Sequence, residues 1–169
     1  MKKTILFLLV CVSINAISFT ESAETLKFTK LEKFNLSQTQ LKVLKKSNLS
    51  IYQIKGEYAY PGKGYIFYAA KTPRGGLLIK VLNSSSKTNP ENVIVPINEL
   101  PFEVTGIGTV MEYCSCGSNI IDSDGDACHQ YQVSANNFGC GGGCTGDNQG
   151  RSCSFTQFDT DTGQITNHI

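Results

Sequence analysis

Six cysteines, Cys114, Cys116, Cys128, Cys140, Cys144 and Cys153, crowd the stretch from position 114 to position 153. The residues around them, "CSCGSNIIDSDGDACHQYQVSANNFGCGGGC", are rich in glycine and poor in large aliphatic side chains. A segment of this kind cannot bury enough apolar surface to offset its own ordering entropy. What its thiols do therefore decides what it folds into. Three fates are open: cross-links, metal ligation or redox chemistry.

The start of the chain bears on that choice. Lys2 and Lys3 precede an unbroken apolar run from Ile5 to Val12, followed by small and polar residues. This is the pattern of a secretory signal peptide over 1–18, with Ala16 at the −3 position, or extending to 23. The apolar stretch is shorter than the roughly 20 residues that a spanning helix needs. The reading is a secreted, extracellular or periplasmic protein with no membrane span after cleavage. Removal of the leader removes Cys11 and leaves an even set of six cysteines. Thiols outside the cytosol oxidise, so disulfides are expected.

Spacing supports the same choice. Cys114 and Cys116, two apart in an extended segment, point to the same face and each reaches for a different partner. Six cysteines allow about fifteen pairings, and the spacing does not select among them. In particular, the glycines of "GCGGGC" permit a local Cys140–Cys144 bridge, or let a loop pass close to another bridge. Zinc sites favour paired knuckles, and only Cys140-x3-Cys144 fits one. The C-x-x-C redox motif is absent. Cys128 stands next to His129, but neighbouring side chains rarely converge on one reacting centre.

Charge divides the chain. Residues 24–100 hold twelve Lys or Arg against five Asp or Glu, whereas 101–169 hold one Arg and eight acids. The sequence is therefore read as an α+β domain over 24–113 and a Cys/Gly-rich acidic module over 114–169. The predicted fold class is α+β: an N-terminal helix with an antiparallel β-meander, followed by a disulfide-rich, Gly-rich irregular or β module.

Within the first part, Ser37 and Gln40 form a capping box, and Leu36 and Leu41 a hydrophobic staple, for a helix ending near Ser47. "IYQIKGEYAY" predicts one half-buried strand, with Tyr52, Ile54, Gly56, Tyr58 and Tyr60 on one face. Further strands are expected at "YIFYAAK" and "LLIKVLN", joined by short antiparallel connections, and, after the surface loop "SSSKTNPEN", at "VIVPIN" and "FEVTGIGTVMEYCSC", the last bent near Gly106 and Gly108. Pro96 makes the fourth an edge or irregular strand.

One ion site is a candidate. Asp122, Asp124 and Asp126 alternate in "DSDGD", an oxygen-rich loop suited to calcium. Its glycine comes at the fourth position and no Glu closes the loop, so it departs from the EF-hand. The plain alternative is an acidic turn. Asp159 and Asp161 form a second, weaker pair. No other cofactor is implied.

Walker, Rossmann and nucleophile-elbow motifs are absent. Glu57, Glu99, Glu103 and Glu112 lie on or near the expected strands, where such acids normally face solvent. Lys27, Lys30, Lys33, Lys42, Lys45 and Lys46 offer contact to an anionic partner, or form a solvated face. The turn at 72–76 exposes Arg74 as a candidate protease-facing loop.

The function read from these features is a secreted, disulfide-stabilised binding protein without an evident catalytic site. Its partner is an unknown protein or surface ligand, not nucleic acid. The alternatives are a precursor that releases its Cys/Gly-rich part as a peptide, and a small extracellular enzyme.

Overall fold

The structure, a computed structural model, describes residues 25–47, 49–84, 93–96, 108–116, 128–134, 137–144 and 152–168. The leader at 1–18, Glu99, Glu103 and the DSDGD loop with Asp122, Asp124 and Asp126 lie outside the described residues.

Strand β1 (Thr25–Leu31) opens the fold, followed by β2 (Phe34–Asn35), helix α1 (Gln38–Ser47), β3 (Tyr52–Lys55), β4 (Tyr58–Pro61), β5 (Tyr65–Lys71) and β6 (Leu77–Asn83). Then come β7 (Val93–Pro96), β8 (Thr109–Ser115), β9 (His129–Ser134), β10 (Asn137–Gly141), β11 (Ser154–Asp159) and β12 (Ile165–His168). Nine strands form one sheet along the path β12-β11-β8-β6-β5-β1-β7, with β9 joined to β6 and β10. A second, three-stranded sheet runs β2-β4-β3.

This overturns the α+β expectation. The fold is mostly β, with one ten-residue helix among the described residues. The large sheet is mixed rather than a meander, because β6 pairs with β8 in parallel, Lys80 opposite Glu112. The reading placed no strand at β1, β2, β9, β10, β11 or β12. Strands β9 and β11 bury polar side chains such as Gln130 and Thr156, so they carry little apolar alternation. Glycines occupy much of β10.

The helix starts where its cap predicts. The Ser37 amide donates to Gln40 Oε1 at 2.9 Å, and the Gln40 amide donates to Ser37 Oγ at 3.2 Å. Gln40 Nε2 also donates to Thr160 Oγ1 at 3.1 Å, which ties the helix start to the β11–β12 turn. Strands β5 and β6 and the turn between them fall where the sequence placed them. The Pro96 strand, β7, lies at the sheet edge.

"IYQIKGEYAY" is a hairpin, not one strand: β3 and β4 pair through Lys55 and Tyr58 around Gly56 and Glu57. Gly56 has φ +62°, the backbone a tight hairpin turn demands at its first central position. The turn flips the alternation. Tyr52 points inward, but Ala59 replaces Tyr58 and Tyr60 as the inward residue of β4.

Central strands are covered on both faces. One face packs Phe67, Ala69, Ile79, Val81, Met111, Tyr113 and Phe158 against Leu44 of the helix and the small sheet. The opposite face gathers Leu26, Phe28, Tyr68, Ala70, Leu78, Leu82 and Phe138. Burying an aromatic such as Phe28 or Phe67 contributes roughly 2–3 kcal/mol. Period-2 alternation assigns each strand residue to its face, and on β8 it sends Val110, Glu112 and Cys114 to the second one.

Candidate functional site

Three observations converge on that second face. The sheet forks there: β6 pairs with β8 up to Lys80 and Glu112, and Leu82 then pairs with Gln130 of β9. The fork brings the side chains of Lys80, Glu112 and Gln130 together. They are 4%, 0% and 1% exposed. Lys80 Nζ donates to Glu112 Oε1 in a buried ion pair. Gln130 Nε2 donates to the same oxygen at 3.0 Å.

Three phenylalanines enclose the ammonium. Lys80 Nζ lies 4.9 Å from the ring centre of Phe138, 5.6 Å from Phe28 and 5.8 Å from Phe155. Each contact is a favourable cation–π interaction, and together the rings keep water out. Burial of a charge pair costs several kcal/mol per ion before the pair attraction offsets it. The network is also incompletely bonded: Glu112 Oε2 and Gln130 Oε1 have no hydrogen-bond partner among the described residues. A partly satisfied buried network is weak evidence for stability alone.

Beside this compartment lies a core made of sulfur. Cys114 pairs with Cys140, Cys116 with Cys144, and Cys128 with Cys153, each at disulfide distance with Cα atoms 5.6 Å apart. The pairs pack on one another and on Phe155. Cys114 and Cys116 do reach different partners, as their spacing requires, and the "GCGGGC" pair does not close on itself. Its glycines serve a steric purpose. A Cβ at Gly139 would stand 2.8 Å from Val133 Cγ2, and one at Gly141 would stand 2.6 Å from Tyr131 Cε1. Tyr131 and Val133 of β9 therefore lie across the bare backbone of β10.

The sulfurs of Cys114, Cys140 and Cys153 lie within 4.8 Å of one another, as do those of Cys116, Cys128 and Cys144. Paired as disulfides they offer no thiolate, so a metal could be held here only by the reduced chain. Cys128 is taken up by Cys153, which removes it as a nucleophile beside His129.

The remaining candidates separate. Asp159 Oδ1 accepts from the Asp161 and Thr162 amides at 2.8 and 3.1 Å, and Asp161 Oδ2 accepts from the Thr109 amide at 3.0 Å. Asp159 is used within the β11–β12 turn, and Asp161 ties that turn to the start of β8. Glu57 and Arg74 are exposed. Glu112, expected to face solvent, is instead fully buried. The signal for it was present: a Glu in "TVMEYCS" and a Lys in "LLIKVLN" each interrupt a strand that is otherwise mostly apolar.

A second surface carries exposed charge. On the outer face of the small sheet, Lys33 Nζ lies 4.1 Å from the Tyr58 ring centre and 5.9 Å from that of Tyr60, and Lys55 Nζ lies 5.4 Å from Tyr60. Tyr58 is 39% exposed. Lys27, Lys30, Lys42, Lys45 and Lys46 are exposed as well.

No family model, curated protein or solved structure matches this chain. No helix among the described residues is long and apolar enough to cross a membrane.

Proposed function

We propose that the chain is an exported, disulfide-stabilised interaction protein whose basic, aromatic face binds an anionic surface ligand such as an acidic polysaccharide. The observation that carries the binding reading is the Lys33–Tyr58–Tyr60–Lys55 cluster, in which Lys33, Tyr58 and Lys55 are exposed and Tyr60 is half-buried. Tyrosine rings give a stiff, low-entropy contact surface, and ammonium groups at their faces supply charge for carboxylate or sulfate. The lysines on β1 and α1 add to the same sign of field, which steers anionic partners.

Export is supported by the basic and apolar opening of the sequence together with three disulfide-distance pairs, which persist in oxidising compartments. A released C-terminal peptide is the weaker reading. The sheet interleaves the two halves of the chain, with β11 bonded to β8 and β9 to β6, so cleavage before Cys114 would cut through β8.

Retention on a sulfated-polysaccharide resin tests the binding face. The protein should be retained at low salt and elute as salt screens the contact. The double variant Lys33→Ser with Tyr58→Ser should elute at clearly lower salt while keeping its disulfides. Equal elution of the variant and the original chain would remove this face as the binding site.

A further inference from the structure

An amine, a carboxyl group and a carboxamide meet in one dry compartment. Lys80 Nζ and Gln130 Nε2 both hydrogen-bond to Glu112 Oε1, so the three groups are immediate neighbours. The rings of Phe28, Phe138 and Phe155 close the compartment around the lysine. We propose that Lys80 and Gln130 become joined by an intramolecular isopeptide bond, with Glu112 as the acid–base group. This goes beyond the binding reading and stands independently of it.

The chemistry balances without an oxidant or a cofactor. A proton passes from the Lys80 ammonium to Glu112 along their hydrogen bond, leaving an amine and a carboxylic acid. The amine lone pair attacks Gln130 Cδ, forming the new C–N bond and placing negative charge on Oε1. Glu112 gives its proton to Nε2, which it already contacts, and takes one from Nζ. The Cδ–Nε2 bond then breaks, ammonia leaves with that electron pair, and the carbonyl reforms.

The product removes the ammonium from its apolar cage. Glu112 ends as a neutral acid that can donate to the new amide oxygen, one of the two atoms unpartnered before the reaction. Fixed proximity of the reacting groups supplies the rate advantage that a free lysine and glutamine lack. Lys80 and Gln130 lie on different strands, so the bond would cross-link β6 to β9 near the disulfide cluster.

Intact mass of the full chain, exported to an oxidising compartment and then reduced and alkylated, reads the bond directly. The expected result is a mass about 17 Da below that of the unlinked chain, the loss of ammonia, with no tryptic cleavage after Lys80 and a branched peptide joining the Lys80 and Gln130 segments. The unlinked mass would overturn the proposal. A loss of about 18 Da would also overturn it, because loss of water places the bond on Glu112 instead. Lys80→Met risks misfolding, so Glu112→Gln is the deciding variant. It keeps a hydrogen-bonding side chain of the same size but cannot take a proton. It should form its three disulfides and show no Lys80–Gln130 peptide. A Lys80–Gln130 link formed equally well in that variant would rule out the assigned role of Glu112.

Discussion

At the scale of single residues, Tyr52 shows how burial turns a side chain into a pH-dependent contribution. It is 6% exposed, and its hydroxyl donates to the Leu44 carbonyl at 2.6 Å, with Ser47 Oγ 2.8 Å away. Burial raises its pKa above 10, a shift partly opposed by hydrogen bonds from Ser47 and the Leu49 backbone. The folded protein thus holds this proton more tightly than the unfolded chain does. The stabilisation is complete below pH 10 and is lost as the pH rises through the folded value. Urea titrations from pH 8 upward should show stability falling above about pH 10. Tyr52→Phe should flatten that fall and lower stability at neutral pH by about 1 kcal/mol, for the lost hydrogen bonds. An unchanged alkaline limb in Tyr52→Phe would place the effect elsewhere. Tyr52 was legible as an inward residue from alternation alone, but its partners on the helix were not, because they depend on how the hairpin meets α1.

At the scale of elements, the β3–β4 hairpin and the segment that follows it are set by backbone geometry more than by apolar pattern. The Gly62 amide donates to the Ile51 carbonyl at 2.9 Å. A Cβ at Gly62 would stand 1.9 Å from the Ser50 carbonyl oxygen and 2.8 Å from the Ile51 carbonyl carbon. Both are main-chain atoms and cannot rotate away. Gly62→Ala should therefore lower stability by about 1–3 kcal/mol or more, read as a drop in urea midpoint. Gly143→Ala, which meets nothing within 4 Å, serves as the comparison. Equal midpoints for the two would show that this approach of chains relaxes at little cost. The capping box of α1 could be read directly because its two bonds span only three residues. The hairpin was misread as one strand because five apolar or small residues at alternate positions hid the turn at Gly56.

At the scale of the whole molecule, two disulfides tie the C-terminal end of β8 to β10 and the residues just after it, and the third joins the residues just before β9 and β11. Bridged residues are 26, 28 and 25 positions apart, and loops of that size restrict the unfolded chain by roughly 3 kcal/mol per bridge. The three loops overlap, so their effects do not simply add. Reduction and alkylation should shift unfolding to lower urea in a single transition, because β8 sits between β6 and β11 in one sheet. An unchanged midpoint would mean that the sulfur cluster contributes little. Two separate transitions would mean that the two halves of the chain fold as independent units.

From the sequence alone came the need for sulfur cross-links, the divergent partners of Cys114 and Cys116, the helix start at Ser37 and the β5–β6 hairpin. Each follows from spacing or from contacts a few residues apart. Tertiary structure alone decided the mixed sheet, the disulfide pairing and the compartment of Lys80, Glu112 and Gln130. Those depend on strands far apart in sequence coming side by side, and a local pattern carries no record of which distant strand will be the neighbour. A lysine and a glutamate interrupt mostly apolar strands, but the sequence reading placed the glutamate at the solvent face. Only the parallel pairing of β6 with β8 put them opposite each other, and only the fork to β9 added the carboxamide.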